Sequence, residues 1–497
     1  MRPLLLLVAV VASASAPYRS PVHLVRAGDD LQAALNAARA GDEIRLQADA
    51  TFTGNFVLPV FDGDEPITLR SDLPDGDVPA ANQRVTPASA SRFARLVSPG
   101  SEAALRTAPS ARHWRVVCLE FGANRNGAGD IIEIGDGSPA QSQLSQVPQD
   151  IVLDRVYVHG DPENGQKRGI ALNGADVTVR NSYVSDIKGV GVDTQAIAGW
   201  NGPGPFSIEN NYLEAAGEVL LFGGADPSIA NLIPSDILVR FNHMTRPLEW
   251  RGSRWQIKNV FELKNARRVV VDSNLIENNW VAAQPGYAVL FTPRNQGGRC
   301  AWCTIESIAF VHNVVRHVSA AVNVLGHDSA PGSRAATGIR IEGNLFEDVT
   351  TRLGGNGWGM LVGDGPRDLT IDRNTFIFDG TTLLYAYGTP KIQGFQFTRN
   401  AAPHGQYGIN GAGASTGTAA LQKFFDRPVV TGNWLSGGPN GRYPAGNRYE
   451  SPFDPARAGA AGADVGQLRA LAGEVARGVM TLAPQPPKTL TITSSAK

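Results

Sequence analysis

Short segments in which apolar residues alternate with polar ones recur along this chain, each closed by an asparagine or a stand-in at the same place. The clearest read LTIDRNTF with Asn374, IRIEGNLF with Asn344, VVVDSNLI with Asn274, FSIENNYL with Asn211, ILVRFNHM with Asn242 and IAFVHNVV with Asn313. Weaker copies set Asn400, Asn433, Ser182 and Val156 at that point, so ten copies run from about 151 to 433 at spacings of 26 to 39 residues. The alternation predicts a strand, the asparagine a turn, and a second short apolar strand follows.

A repeat of about thirty residues is too short for a four-stranded propeller blade, and the segments lack the helical period that leucine-rich and helical repeats need. A coil of three short parallel strands fits, each coil stacked on the last at roughly 4.8 Å. An inward asparagine amide carries two donors and an acceptor, so stacked copies can bond one another and the turn backbone in a column without water.

Both ends of the stack read as helical. In GDDLQAALNAARAG, residues 28–41, Asp29 is the expected N-cap with Gln32 three residues on. Leu31, Ala34, Leu35 and Ala38 make one apolar face and Gly41 closes the helix. Such a helix would cover the open strand edge of the first coil. Strands are expected at Ile44–Leu46, Phe56–Leu58, Ile67–Arg70 and Trp114–Phe121, interrupted by a Pro-, Ala- and Ser-rich excursion from about 72 to 110. From about 455 to 480 the Ala-rich sequence, including VGQLRALAGEVARGVM, predicts a short helical C-terminal cover, and residues 481–497 a disordered tail. The expected fold class is therefore all-β: a parallel β-helix solenoid from about 24 to 450 with a capping helix and a helical cover.

The first sixteen residues, MRPLLLLVAVVASASA, have Arg2, an apolar run from Leu4 to Val11 and a small-residue Ala14-Ser15-Ala16 site. They read as a secretory signal peptide, which places the protein outside the cytoplasm, secreted or periplasmic, with no later membrane span. A formal net charge of −1 and the lack of a basic run speak against nucleic acid as a partner. Three cysteines are too few to hold a secreted fold of this size. Cys300-Ala301-Trp302-Cys303 is either a local disulfide or half of a metal site, and nothing nearby completes a zinc set.

The run LVRAGDDLQAALNAARAGDEIRLQADATFTGNFVLP, followed by the asparagine repeats, resembles the opening and body of the right-handed parallel β-helix (pectin lyase-like) superfamily over roughly residues 24 to 440. The resemblance implies the hand of the coil and leaves the chemistry open, because pectate and alginate lyases, polygalacturonases, pectin esterases, tailspikes and adhesins share the fold. The NTD and RIK signatures of polygalacturonases are missing, with only Gly326-His327-Asp328 in place of GHG. The vWiDH pattern of one pectate lyase family is missing too.

In this superfamily the strand after each asparagine unit often lines the substrate groove; here those strands are expected near Gly189–Thr194, Glu218–Phe222, Phe261–Lys264, Tyr287–Thr292, Ala321–Leu325 and Gly359–Gly363. Apolar neighbours leave the polar residues outward. Asp193 with Gln195, Glu218, Glu262 with Lys264, Arg294 with Asn295, and Asn323 with His327 then form a polar line one coil apart. Trp200, Trp250, Trp255, Trp280 and Trp302 fall in the same region, and the longest gap between repeats lies between Asn274 and Asn313. Flat aromatic faces suit sugar rings, and Lys and Arg suit uronate carboxylates. Trp200, Trp250, Trp255, Trp280, Gln195, Asn295, Asn323 and His327 are thus candidate substrate-binding residues. The plainer alternative is that tryptophans plug loops and that Glu262 and Lys264 form a surface ion pair of little worth.

For β-elimination of a uronate, Lys264 would be the base and Arg294 would neutralise the carboxylate, a lowered amine pKa being what the base role requires. For hydrolysis, two carboxylates from Asp193, Glu214, Glu218, Asp226 and Glu262 would flank the glycosidic bond. Ca2+ is a candidate cofactor with no ligand spacing that compels it. Gly223-Gly224 reads as a turn, without a phosphate-loop motif. The sequence thus favours a carbohydrate-active enzyme, a lyase or hydrolase of an acidic or polar polysaccharide working as a monomer. The alternative is a non-catalytic carbohydrate-binding or surface-attachment solenoid.

Overall fold

In the computed structural model, residues 21–479 are described; the expected signal peptide and the expected disordered tail lie outside them. Forty-one strands wind into three parallel sheets of 16, 12 and 13 strands. In chain order each coil contributes one strand to sheet A, one to sheet B and one to sheet C, and then passes to the next coil of sheet A. The coil Phe206–Glu209, Tyr212–Ala215 and Glu218–Phe222 is typical, and it pairs in register with Ser235–Arg240, His243–Thr245 and Phe261–Leu263 of the next. Inward side chains form one continuous core from Val25 to Tyr443.

The corner between sheets A and B carries the asparagine column. The Asn274 amide donates to Asn313 Oδ1 at 2.9 Å and to the carbonyls of Val239 and Asp272, while its own Oδ1 accepts from the backbone and amide of Asn242. The same pattern links Asn211, Asn242, Asn274, Asn313, Asn344, Asn374, Asn400 and Asn433, and ends on Asn447, which the repeat pattern missed. Ser182 starts the column by donating its backbone N–H to Asn211 and accepting from Val156 at its hydroxyl. The residue before each column position is left-handed, as at Phe241, Ser273, His312 and Gly343. That backbone turns the corner at a cost of roughly 1 kcal/mol or more for non-glycines, offset by the amide bonds. The same device splits the strand expected at Trp114–Phe121 into Arg112–Val117 and Leu119–Phe121, with Cys118 at φ 50° between them.

Helix α1 is shorter than its sequence pattern, spanning Leu31–Ala37, and its N-cap is Asp30, not Asp29: Asp30 accepts from the Ala33 N–H while Asp29 ties the preceding turn through the Arg26 N–H. Gln32 does not close a capping box. Its amide exchanges two hydrogen bonds with the Val57 backbone, 2.8 and 2.9 Å, and so satisfies the terminal strand of sheet C.

Helix α2, Thr418–Phe424, absent from the sequence reading, packs Ala420, Leu421 and Phe424 at the far end of the same sheet. Helix α3, Val465–Arg477, is the expected helical C-terminal cover, and it covers a side of the stack. Its apolar face, with Leu468, Leu471 and Val475, lies along the flank of sheet B on Leu275, Val314 and Leu345, because those outward residues are apolar in three consecutive coils. Arg84, buried in the excursion, ties the regions together by donating to the carbonyls of Asn210, Phe241 and Val475. Among the described residues no helix is long and apolar enough to cross a membrane.

Candidate functional site

The outer face of sheet C carries most of the expected polar line. One outward row runs Asp130, Arg168, Gln195, Glu218 on consecutive coils, and a second includes Glu133, Ala171, Ala198, Leu221, Glu262, Leu290 and Asn323. Loop 246–260 walls the side where sheet B turns into sheet C, and loops 223–234 and 292–304 wall the opposite side. The Cys300–Cys303 disulfide closes a turn in the last of these.

The first row is joined end to end. Arg168 bridges Asp130 at 2.7 Å and Gln195 at 2.9 Å, and the Gln195 amide donates to Glu218 at 2.8 Å. Lys258 Nζ sits 2.6 Å from Asp193 and 3.6 Å from Glu218. Below them the wholly buried Arg246 donates to the carbonyls of Ala215, Gly217 and Asn259 and to the Asn279 side chain, and burial pulls its pKa down to about 9. Its charge supports the buried Glu218 carboxylate, the one charge that opposes this shift.

Glu262 points outward yet is only 3% exposed. It accepts from Asn259 at 3.0 Å and Thr292 at 3.1 Å, and Lys264 Nζ lies 3.6 Å away. Burial pushes the Glu262 carboxyl up and Lys264 pulls it back. Arg294 follows on the next coil, its backbone N–H donating to the Lys264 carbonyl at 2.9 Å, with its guanidinium 3.4 Å from Asp328. Lys264 and Arg294 keep 17% and 35% of their side chains exposed, so both reach the groove.

Several expected residues are placed differently. Gly189–Thr194 is a loop and the strand begins at Gln195, because Gly189 and Gly191 break the run; Asp193 is therefore an exposed loop residue that accepts from Gln256 and Lys258. Trp250 and Trp280 cannot meet a sugar: they are 4% and 3% exposed, packed with Ala216 and Ile257 under loop 246–260. Trp302 plugs its loop onto the Leu232 carbonyl.

Trp200 and Trp255 remain half-buried, Trp200 under the Arg168 guanidinium at 4.8 Å. Asn295 accepts from the Cys300 N–H of its own loop and donates to the Gly332 carbonyl of the next, and His327, half-buried, bonds the Asp364 carbonyl through Nδ1. Asn323 faces outward with a buried Oδ1 that has no partner. Glu214 is on sheet B, away from this face. Asp226 accepts from the Gly297 and Arg299 N–H groups and anchors the loop wall. Among the described residues no three His, Cys, Asp or Glu side chains converge as a metal-binding group.

Sequence reasoning missed Lys258, Asn259, Arg168 and Thr292. Only the register of neighbouring coils brings them to Gln195, Glu218 and Glu262; Lys258, Asn259 and Thr292 lie within a few residues of one that was singled out, whereas Arg168 lies near none.

No protein-family model matches the sequence, and no curated protein matches it. Among solved structures, the catalytic unit of a thermostable GH87 alpha-1,3-glucanase from Streptomyces thermodiastaticus strain HF3-3 matches with a TM-score of 0.52 at 16% identity, over 89% of this chain and 72% of that one. The PL6 family alginate lyase AlyGC matches with a TM-score of 0.46 at 15% identity over 94% of this chain. The match takes in 59% of that lyase's length. The PL6 family polysaccharide lyase Pedsa3628 from Pseudopedobacter saltans matches at 0.45 and 11% identity, over 88% and 98%. At these identities the likeness is one of architecture, and with the three parallel sheets it establishes the right-handed parallel β-helix.

Proposed function

We propose that this protein is a secreted carbohydrate-active enzyme that cleaves an acidic polysaccharide by β-elimination in the groove over sheet C. The observation that carries this reading is the pairing of Lys264 and Arg294 on adjacent coils, both reaching the groove beside a buried Glu262. Elimination needs a base at the proton of uronate C5 and a cation at the uronate carboxylate, where charge develops as the proton leaves. Arg294 supplies the cation. Lys264, 3.6 Å from the buried Glu262, is the base whose amine nitrogen takes the C5 proton. The electron pair then forms the C4–C5 double bond as the C4–O bond breaks, and the leaving oxygen takes a proton from solvent water to become the hydroxyl of the new end.

Hydrolysis fits less well. Its two carboxylates would be Glu218 and Glu262, but their oxygens already accept from Gln195, Asn259 and Thr292, and both are nearly inaccessible.

The test is incubation of the purified protein with a panel of polyuronates and neutral polysaccharides, following the ultraviolet absorbance of the unsaturated product alongside new reducing ends. Absorbance that disappears in Lys264→Ala and Arg294→Ala supports the lyase. Reducing ends without absorbance move the chemistry to the carboxylates, and binding without either product leaves a binding solenoid.

A further inference from the structure

We propose that a second, cation-rich cleft at the upstream end of the groove is a distal subsite for the same acidic polysaccharide, holding a uronate several sugars from Lys264; it rests on the reading just given. Three consecutive turns from sheet B to sheet C, residues 122–129, 160–167 and 188–194, stack beneath loop 246–260 and enclose a cavity of ≈ 880 Å³. The turns are held in close contact by glycines. A Cβ on Gly127 would lie 2.5 Å from the Gly165 carbonyl oxygen, and one on Gly165 would lie 2.0 Å from that of Lys188, so side chains are excluded from the cradle floor.

The lining combines charge with apolar surface. Arg125 and Lys167 are exposed and, among the described residues, have no carboxylate within ion-pair distance; Arg254 adds a third cation, while the buried Lys188 is paired with Asp186 at 2.6 Å. The lining acid, Asp161, is turned onto the backbone N–H groups of Glu163 and Asn164 at 2.8 and 2.7 Å and does not neutralise them. The Lys188 ammonium and the Arg254 guanidinium lie 5.2 Å and 4.6 Å from the Trp255 ring centroid. Val190 and Val192, 58% and 45% exposed, complete an apolar strip. In a chain of net charge −1, this local excess of positive charge beside an aromatic and apolar surface matches a sugar ring bearing a carboxylate.

The cleft is continuous with the groove. Lys167 precedes Arg168 on the sheet C face, and Gln256 and Lys258 of the roofing loop both bond Asp193 at the groove rim. The strand of Arg168 lies three coils from that of Glu262, roughly 15 Å at the strand spacing, so only an oligosaccharide of several units reaches both.

The test uses size-defined oligouronates and a neutral oligosaccharide of matched length. Binding is measured by calorimetry to Lys264→Ala protein, which holds substrate without turnover, with and without Arg125→Ala plus Lys167→Ala. Steady-state rates are measured for the double variant alone. The expected result is about tenfold weaker binding of long oligouronates and a matching rise in KM at unchanged kcat, with dimers unaffected. Added salt should weaken the parent protein more steeply than the double variant. Equal binding of long oligouronates with and without the two cations overturns the subsite, as does a loss for dimers or for the neutral sugar as large as that for long oligouronates. If long oligouronates are bound and cleaved while the double variant is indifferent, the subsite falls and the lyase stands. If no oligouronate is bound at all, both fall.

Discussion

Along the corner between sheets A and B the same amide recurs coil after coil, whereas along sheet C the outward residue changes at almost every step. From Asn211 to Asn447 each column amide donates to the next and accepts from the last, so identity between neighbours is what satisfies it. On sheet C, Asp130, Arg168, Gln195 and Glu218 are satisfied because neighbours differ: acid bonds cation, cation bonds amide, amide bonds acid. Both rows use the same backbone spacing. A column of like groups has no group left over and does nothing but hold the coil. A row of unlike groups ends somewhere; here it ends at Glu218, and Lys264 and Arg294 follow on the next coils, beyond the strand ends, where they stay partly exposed.

The sharpest way to break this comparison is to remove one residue from each row. Lys264→Ala should lower kcat by about a thousandfold on a polyuronate substrate, the scale of a lost general base. Its unfolding free energy should fall by only about 1 to 2 kcal/mol: the buried Glu262 loses its counter-ion but keeps the bonds from Asn259 and Thr292, and burial already favours a proton on its carboxyl. Activity assays paired with urea unfolding read both quantities. A loss of stability as large as the loss of activity would make Lys264 another structural member of the stack.

Asn313→Ala should behave in the opposite way. It strips the acceptor from the Asn274 backbone and amide, and the donor from the carbonyls of Val271 and Val311, all in a water-free corner. With roughly 1 to 3 kcal/mol for each buried group left unpaired, partly relieved by relaxation, the expected destabilisation is about 4 kcal/mol. Sheet C lies across the core from this corner, so KM and kcat of the folded fraction should stay near their parent values. Urea unfolding and steady-state kinetics at low temperature separate the two.

The contrast also explains what could be read from the sequence. The column was legible because repetition is its mechanism: alternating apolar residues and one asparagine at a near-constant interval are enough to place Asn274 or Asn374. Its left-handed corner residues were not, because Phe241, Ser273, His312 and Arg373 share no chemistry, only a backbone conformation that neighbouring bonds impose.

On sheet C, Glu218, Glu262, Lys264 and Arg294 were found because they interrupt apolar strands. Lys258 and Asn259 sit just before a strand at the end of a long loop, where no periodicity says which way a side chain points. Trp250 and Trp280 were misplaced for a related reason: an aromatic in a loop is equally a platform or a plug until the loop's own small core is visible. Helix α3 was legible as an amphipathic helix but not in its seat, since an apolar face does not name the surface it covers.

Sheet B offers an intermediate row on which the comparison can be sharpened further. Tyr157, Tyr183, Tyr212 and His243 follow one another outward, like in kind but not identical, and Glu214 is buried among them, accepting from Tyr212 Oη at 2.8 Å and from the Asp186 N–H at 2.9 Å. Burial pushes Glu214 up to about 7 from 4.5, against the two hydrogen bonds. A folded-state pKa above the unfolded value means that the native state binds the extra proton. The stability this contributes is complete below pH 4.5 and is lost as pH rises through about 7. Glu214→Gln keeps the acceptor for the Asp186 N–H on its amide oxygen, can donate from its amide nitrogen to the Tyr212 oxygen, and removes the titration. The variant should therefore match the parent at pH 4.5 and be more stable above pH 7, by on the order of 2 kcal/mol. Urea unfolding of both proteins across that range measures the difference. A gap of constant size would mean that Glu214 stays ionised in the fold and that this row, like the asparagine column, is satisfied at every pH.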